Sequence, residues 1–226
     1  MKKIFIITMA LLMSLGVTNL NAQTQKEIAK DRKVVNKLSE SELNDRSSKA
    51  ARTEAKKLTK QGWLTSPGAL PVEKQLDRSY KMQYEYDDNQ APKYIMAEAM
   101  SIGENYDAAK MQALELAKQN LAGQVQTEMN ALIENTVANQ QMEAKKAASI
   151  TQTISASKNS IIQSLGRVVP VTELYRDTKK NKEVLVRISY NSEMAMNAAK
   201  KVIKEELEKK GEDLHEQLDQ AMGLKK

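Results

Sequence analysis

The chain has 226 residues, with 35 basic and 29 acidic side chains, one histidine and no cysteine. The missing cysteine excludes disulfides, thiolate metal sites, a cysteine nucleophile and the lipidated cysteine of a bacterial lipoprotein, so stability must come from a buried core. A formal charge of +6 is mildly basic and demands no polyanionic partner, and one Trp, seven Tyr and one Phe are few platforms for stacking nucleic-acid bases.

Residues 1–22 read as a secretory leader. Lys2 and Lys3 precede the uncharged run "IFIITMALLMSLGV", and "NLNAQ" offers Leu20 and Ala22 at the two specificity positions of a cleavage site. The run is only 14 residues long, short of the roughly 20 needed to span a bilayer. The mature chain is therefore expected to begin at Gln23, with 33 basic and 29 acidic residues once Lys2 and Lys3 are gone, +4.

Residues 23–61 read as a basic helical arm without Pro or Gly. It carries 11 basic and 6 acidic side chains and sparse apolar positions at Ile28, Val34, Val35, Leu38, Leu43 and Leu58. Such a segment suits a helix lying on a domain or a free extension. Its charge is read first as a solvated face, with a phosphate-rich surface as the sharper alternative.

"GWLTSPGALPVEKQL" breaks the arm. Gly62 suits a helix C-terminus, Pro67-Gly68 a turn, and Pro71 the start of a short helix reaching Leu76. Trp63, the only indole, is expected to anchor this loop rather than to present a binding surface. Two period-two runs follow and read as strands: Tyr80, Met82, Tyr84, Tyr86, and then Tyr94, Met96, Glu98, Met100, Ile102. "DDNQAP" is their turn. Asp87 and Asp88 there suggest calcium only weakly, because the longer ligand series of a calcium loop is absent. The second run is apolar on both faces near its start, which predicts an inner strand. Glu98 lies in phase with its apolar neighbours and needs a partner if buried; Arg187, on the hairpin strand, is one candidate, for a structural ion pair, and simple exposure at the sheet edge is the alternative.

Asp107 then caps an Ala-rich helix running to about Val137. Ala109, Ala113 and Ala117 recur every fourth residue, beside Leu114, Leu121, Val125, Met129, Leu132 and Ile133. Small residues in that spacing let a helix lie close to a sheet. The turn before it, "SIGENYDAAK", holds a single glycine and an acidic helix start, so it reads as a corner and not as a phosphate cradle. Residues 138–165 keep a helical rhythm through Ala147, Ile150, Ile154, Ile161 and Leu165. A hairpin follows, from Val168 and Val169 through the charged "RDTKKNKE" to Val184–Ile188. Pro170 marks its first strand as an edge or a bulge. Ser192 is the predicted cap of a last helix, interrupted by Gly211. His215, alone in an acidic tail, is expected to be solvent-exposed and unsuited to a zinc site.

The order of strand, Gly103, Ala-rich helix, polar stretch and "VVPVTELYRDTKKNKEVLVRISY" resembles the LPP-twenty-like family of bacterial envelope proteins. The segments that carry it are "YIMAEAMSIGENYDAAKMQALELAKQNLAGQV", the hairpin ending "VLVRI" and the Trp63 loop, over about residues 62–190. The resemblance implies export, an envelope setting and a small antiparallel sheet packed by a long helix. It implies no catalytic residue.

The residues and the resemblance together predict an α+β fold with about four strands, a helical N-terminal arm and a C-terminal helix. The divisions expected are 1–22 leader, 23–61 arm, 62–191 domain, and 192–226 C-terminal helix and tail. No HExxH, GxSxG, P-loop or GxGxxG motif occurs. No residue is assigned a catalytic, cofactor-binding or metal-binding role, and no cofactor or small-molecule ligand is predicted. The expected function is that of an exported, non-enzymatic module in the periplasm or at the outer membrane of a Gram-negative bacterium. Its partner is another envelope protein or a second copy, with no nucleic acid and at most peripheral membrane contact. The alternatives are a carboxylate-based hydrolase of envelope polymers and a carrier of a small apolar ligand.

Overall fold

The structure is a computed structural model that describes residues 44–223. The predicted leader, residues 23–43 of the arm and the last three residues lie outside the described residues. The chain divides into a unit ending at Arg46 and a compact unit starting at Ser47; the following concerns the second.

Helix α1 (Lys49–Lys60) is capped by Ser48, whose Oγ accepts from the Ala51 N–H at 3.2 Å. It ends as predicted at Gly62, in the left-handed region at φ +85°. There the Gly62 N–H donates to the Thr59 carbonyl and the Trp63 N–H to that of Leu58, the paired closure that favours glycine at this position. Ala51 and Ala55 pack on Leu76 of α2 (Val72–Gln83), with Leu58, Val72 and Tyr80 around them. The arm's second half is therefore a structural layer of this unit, whose boundary is Ser47 rather than residue 62.

Helix α2 is the main correction to the predicted elements. Residues 80–83 are helical, and no strand runs through Tyr80, Met82, Tyr84 and Tyr86. The spacing Val72, Leu76, Tyr80 puts three apolar side chains on one helical face, and their burial on α1 outweighs the period-two pattern. Tyr84 and Tyr86 are left exposed. Tyr86 makes only an isolated bridge to Pro92.

The sheet therefore has three strands rather than about four: β1 (Tyr94–Gly103), β2 (Val169–Thr178) and β3 (Asn181–Asn191), antiparallel in the order β1-β3-β2. The α+β class stands. β1 is an edge, not the inner strand that its apolar start suggested; β3 is central. β2 is the other edge, and its register with β3 shifts between Pro170 and Thr172, so Pro170 marks both an edge and a bulge. The hairpin turn is the pair Lys179-Lys180, with Lys179 at φ +47°.

Helix α3 (Tyr106–Ala138) crosses one face of this sheet. Its cap is Asn105, whose Oδ1 accepts from the Ala108 N–H at 2.9 Å; Asp107, the predicted cap, sits in the first turn. Ala109, Ala113 and Ala117 are fully buried, in one cluster with Ile95 and Ala97 of β1 and Val184, Val186 and Ile188 of β3. Farther along, Leu121, Val125, Met129 and Ile133 are equally buried and join the residues of α4 (Ala144–Ala156), α5 (Lys158–Leu165), α6 (Ser192–Lys209) and α7 (His215–Ala221). Each such side chain contributes about 1.5–3 kcal/mol by burial, so this helix carries a large share of the core. The predicted stripe Ala147, Ile150, Ile154, Ile161, Leu165 is buried throughout. Asn191, not Ser192, caps α6, and Gly211 (φ +73°) separates α6 from α7.

Gly103 explains how α3 lies so close to the sheet. A Cβ built there would stand 2.7 Å from the Ala109 backbone nitrogen and 3.1 Å from its Cα. The strand end and the first helical turn touch backbone to backbone, and only hydrogen fits between them.

Candidate functional site

The sheet's two edges are closed by side chains, and one closure forms a groove. On β2, the Gln75 Oε1 accepts from the Glu173 N–H at 2.7 Å, and Leu64 exchanges two backbone hydrogen bonds with Tyr175. On β1, the Asn120 Nδ2 donates to the Glu98 carbonyl and the Gln124 Nε2 to the Met96 carbonyl, both at 2.9 Å. These amides stand one helical turn apart on α3 and reach alternate carbonyls of the strand, because four helical residues rise about 6 Å and two strand residues about 6.6 Å. An uncapped strand edge would pair with any passing strand.

Between β1 and α3, this row of amides lines an open cleft of ≈ 1050 Å³. Gln119, Gly123, Thr127, Glu128 and Lys158 continue its wall on the helical side, Tyr94 and Glu98 on the strand side, and Gln83 and Asp87 close one end. Each capping amide spends one N–H on the strand. Its oxygen and second N–H remain, so the amides present the donor–acceptor pair of a peptide group. Asp87, Glu98, Glu128 and Lys158 add charge to the lining, and two of these groups are already engaged. The Asp87 Oδ1 accepts from the Asn89 and Ala91 N–H groups, both at 2.9 Å, and so fixes its own turn. The predicted Glu98–Arg187 pair is present: the two residues face each other across β1 and β3, with Arg187 Nη2 at 2.6 Å and Nε at 2.8 Å from Glu98 Oε2. Arg187 also donates from Nη1 to the buried Ser79 Oγ at 2.9 Å, tying α2 to both strands.

A second cluster sits at the turn after Gly103. The Tyr106 hydroxyl donates to Glu173 Oε1 of β2, and Lys110 Nζ approaches the same oxygen at 2.9 Å. The Tyr106 and Tyr175 rings meet edge to face at 5.4 Å. Burial pushes the Tyr106 hydroxyl above its ordinary value, and the hydrogen bond to Glu173 pushes it further. The hydrogen bond to Glu173 likewise holds the Lys110 ammonium above the usual lysine value. These contacts clamp the first turn of α3 to β2.

Trp63 is the anchor predicted for it. It is buried, and the Arg176 guanidinium stacks over its ring at 4.7 Å. His215 departs from its expected exposure: only 26% of its side chain is accessible, and Nε2 lies 3.5 Å from Glu208 Oε1. It packs where α7 returns beside α6. Among the described residues, no group of three or more His, Asp or Glu is placed to hold a metal ion. No helix among them is long and apolar enough to cross a membrane.

Comparison with protein-family models, with curated proteins and with solved structures finds no match. The β1/α3 groove and the charged layers above the sheet's other face are therefore read on their own chemistry.

Neither the amide row nor the Tyr106–Lys110–Glu173 trio has a local signature in the sequence. Asn120 and Gln124 look like ordinary surface residues of a helix, and Glu173 lies 67 residues from Tyr106 in the chain. Only the crossing of α3 over β1 brings these groups together.

Proposed function

We propose that the chain is an exported, non-enzymatic protein of a Gram-negative cell envelope, LPP-twenty-like, that works by binding another envelope component in the groove between β1 and α3. The observation that carries this reading is the row of neutral amides that caps the β1 edge and faces an open cleft. Such a lining offers hydrogen bonds to an extended polar segment. Export rests on the leader-like residues 1–22.

Gly123 provides the test. It lines the groove, and a Cβ there would meet only Lys158 Nζ at 3.9 Å. Gly123→Phe should block the groove and leave the fold intact. A component cross-linked to the wild-type chain in envelope extract and lost with Gly123→Phe supports the proposal. Equal capture by both chains, or a monomer that captures nothing, would overturn it. Export is checked separately, by the N-terminal residue of the chain recovered from the periplasmic fraction, expected to be Gln23.

A further inference from the structure

The net charge of the described residues is divided between two layers. The hairpin of α1 and α2, residues 49–83, carries eight basic and three acidic side chains, +5, whereas residues 84–223 carry 17 basic and 21 acidic ones, −4. The cationic layer lies farthest from α3: α2 packs on the sheet and α1 packs on α2.

Within α1 the charge has a direction. Ala51, Ala55 and Leu58 face α2. At about 100° per residue, Lys49, Lys56 and Lys60 fall within about 40° of one another on the opposite side, with Lys57 and Arg52 flanking them. The four lysines are exposed. None of these five cations has an ion-pair partner among the described residues, although lysines elsewhere in the unit are commonly paired. The row is about 16 Å long and runs along one side of a straight helix. It carries no large apolar or aromatic side chain.

We infer that this outer face of α1 docks the protein on an anionic lipid surface through charge alone. A straight row of unpaired lysines matches a plane of phosphate headgroups. A site for single-stranded nucleic acid would need aromatic platforms among the cations, and the only nearby indole, Trp63, is buried under Arg176; duplex DNA is an arm of the test. Without an apolar face to insert, adsorption is reversible and salt-sensitive. The acidic remainder of the domain turns the other layers outward from the surface. This inference rests on α1 and not on the groove, and the two are separable by experiment.

The test uses the chain from Gln23, since the apolar run before it would enter membranes by itself, and vesicles of phosphatidylcholine with or without about one third phosphatidylglycerol. Co-sedimentation with the anionic vesicles is expected at low salt, with little on neutral ones and release at about 0.5 M salt. Each lysine removed should weaken partitioning about fivefold. Lys49→Glu/Lys56→Glu/Lys60→Glu should abolish it. Lys145→Glu/Lys180→Glu/Lys201→Glu, with the same net charge, should retain most of it. If the first variant fails to fold, Lys56→Gln/Lys60→Gln replaces it, with an expected loss of about 25-fold. Equal binding to neutral vesicles, equal loss in both triple variants, or binding to duplex DNA or polyphosphate without binding to vesicles would each overturn the inference.

Discussion

Replacing Gly103 by alanine adds a single methyl group, yet it should unfold the protein several degrees earlier. The added Cβ meets the Ala109 backbone nitrogen at 2.7 Å and its Cα at 3.1 Å, and neither atom can rotate away as a side-chain tip would. Overpacking of this kind costs about 1–3 kcal/mol. Alanine also restricts the unfolded chain, which returns about 0.4–1 kcal/mol. The net loss is about 1.5 kcal/mol, or about 3–6 °C in the melting temperature of a domain this size. Removing the Ala109 methyl as well should not rescue it, because that atom, at 3.2 Å, is the farthest of the three contacts. Gly123→Ala is the matched control. It sits inside α3, where a Cβ would make only an ordinary contact with Lys158 Nζ at 3.9 Å, so the same substitution should stabilise by about 0.5–1 kcal/mol. Thermal melts followed by circular dichroism decide the matter. A Gly103→Ala chain melting at or above the wild-type temperature, or both variants shifting in the same direction, would refute the close-approach argument.

Other consequences follow from the edge, the clamp and the carboxylates. Asn120→Ala/Gln124→Ala removes two side-chain bonds to β1, each worth about 0.5–1 kcal/mol, and bares the edge; sedimentation should show association that rises with concentration, and a strictly monomeric variant would contradict the capping role. Arg187→Met leaves the fully buried Ser79 hydroxyl without its donor and should cost about 1–3 kcal/mol in urea unfolding. In a double-mutant cycle with Glu98→Gln, the coupling should be only about 0.5–1 kcal/mol, because the Glu98 side chain is 39% exposed. Burial tends to raise both Asp77 and Asp219, but hydrogen bonds from Ser48 and Lys81 to the first, and from Lys200 and Lys204 to the second, leave each below the ordinary aspartate value. Each binds its proton less tightly folded than unfolded, so its stabilisation is present above about pH 4 and is lost as the pH falls below that. Asp77→Asn and Asp219→Asn should flatten the acid limb of stability against pH. Tyr106 and Lys110 hold their protons more tightly in the folded state. Their contribution is present below about pH 10 and fades as the pH rises further, and Glu173→Gln should shrink that alkaline limb.

Much of the fold was legible because its strongest signals are local. The Ala-rich helix, the Pro170 edge and the buried Ile150–Leu165 stripe each follow from spacing within a few turns or from a single imino acid. The Glu98–Arg187 pair was legible for another reason: a charge in phase with apolar strand neighbours calls for an opposite charge on the strand beside it. Residues 80–86 failed because two periods compete there. Tyr80 belongs equally to an alternating run and to the Val72–Leu76–Tyr80 face, and only the presence of α1 decides between them. β1 was misread as an inner strand because α3 covers one of its faces; its other face leaves Met100 and Ile102 exposed. Charge separation between the layers can be counted from the sequence, but the face of α1 that bears it needs the position of Leu76. The amide row has no local signal.

That row also sets an order in time. Asn120 and Gln124 follow the carbonyls they cap by 22 and 28 residues, whereas Arg187, opposite Glu98 on β3, follows by 89. As the chain emerges from the ribosome, β1 therefore meets its helix long before its strand partner is synthesised. The loop to be closed is short and the cost of closing it correspondingly small. The contacts that cover the β1 edge are therefore the ones with the shorter loops to close, and those with the hairpin are the longer.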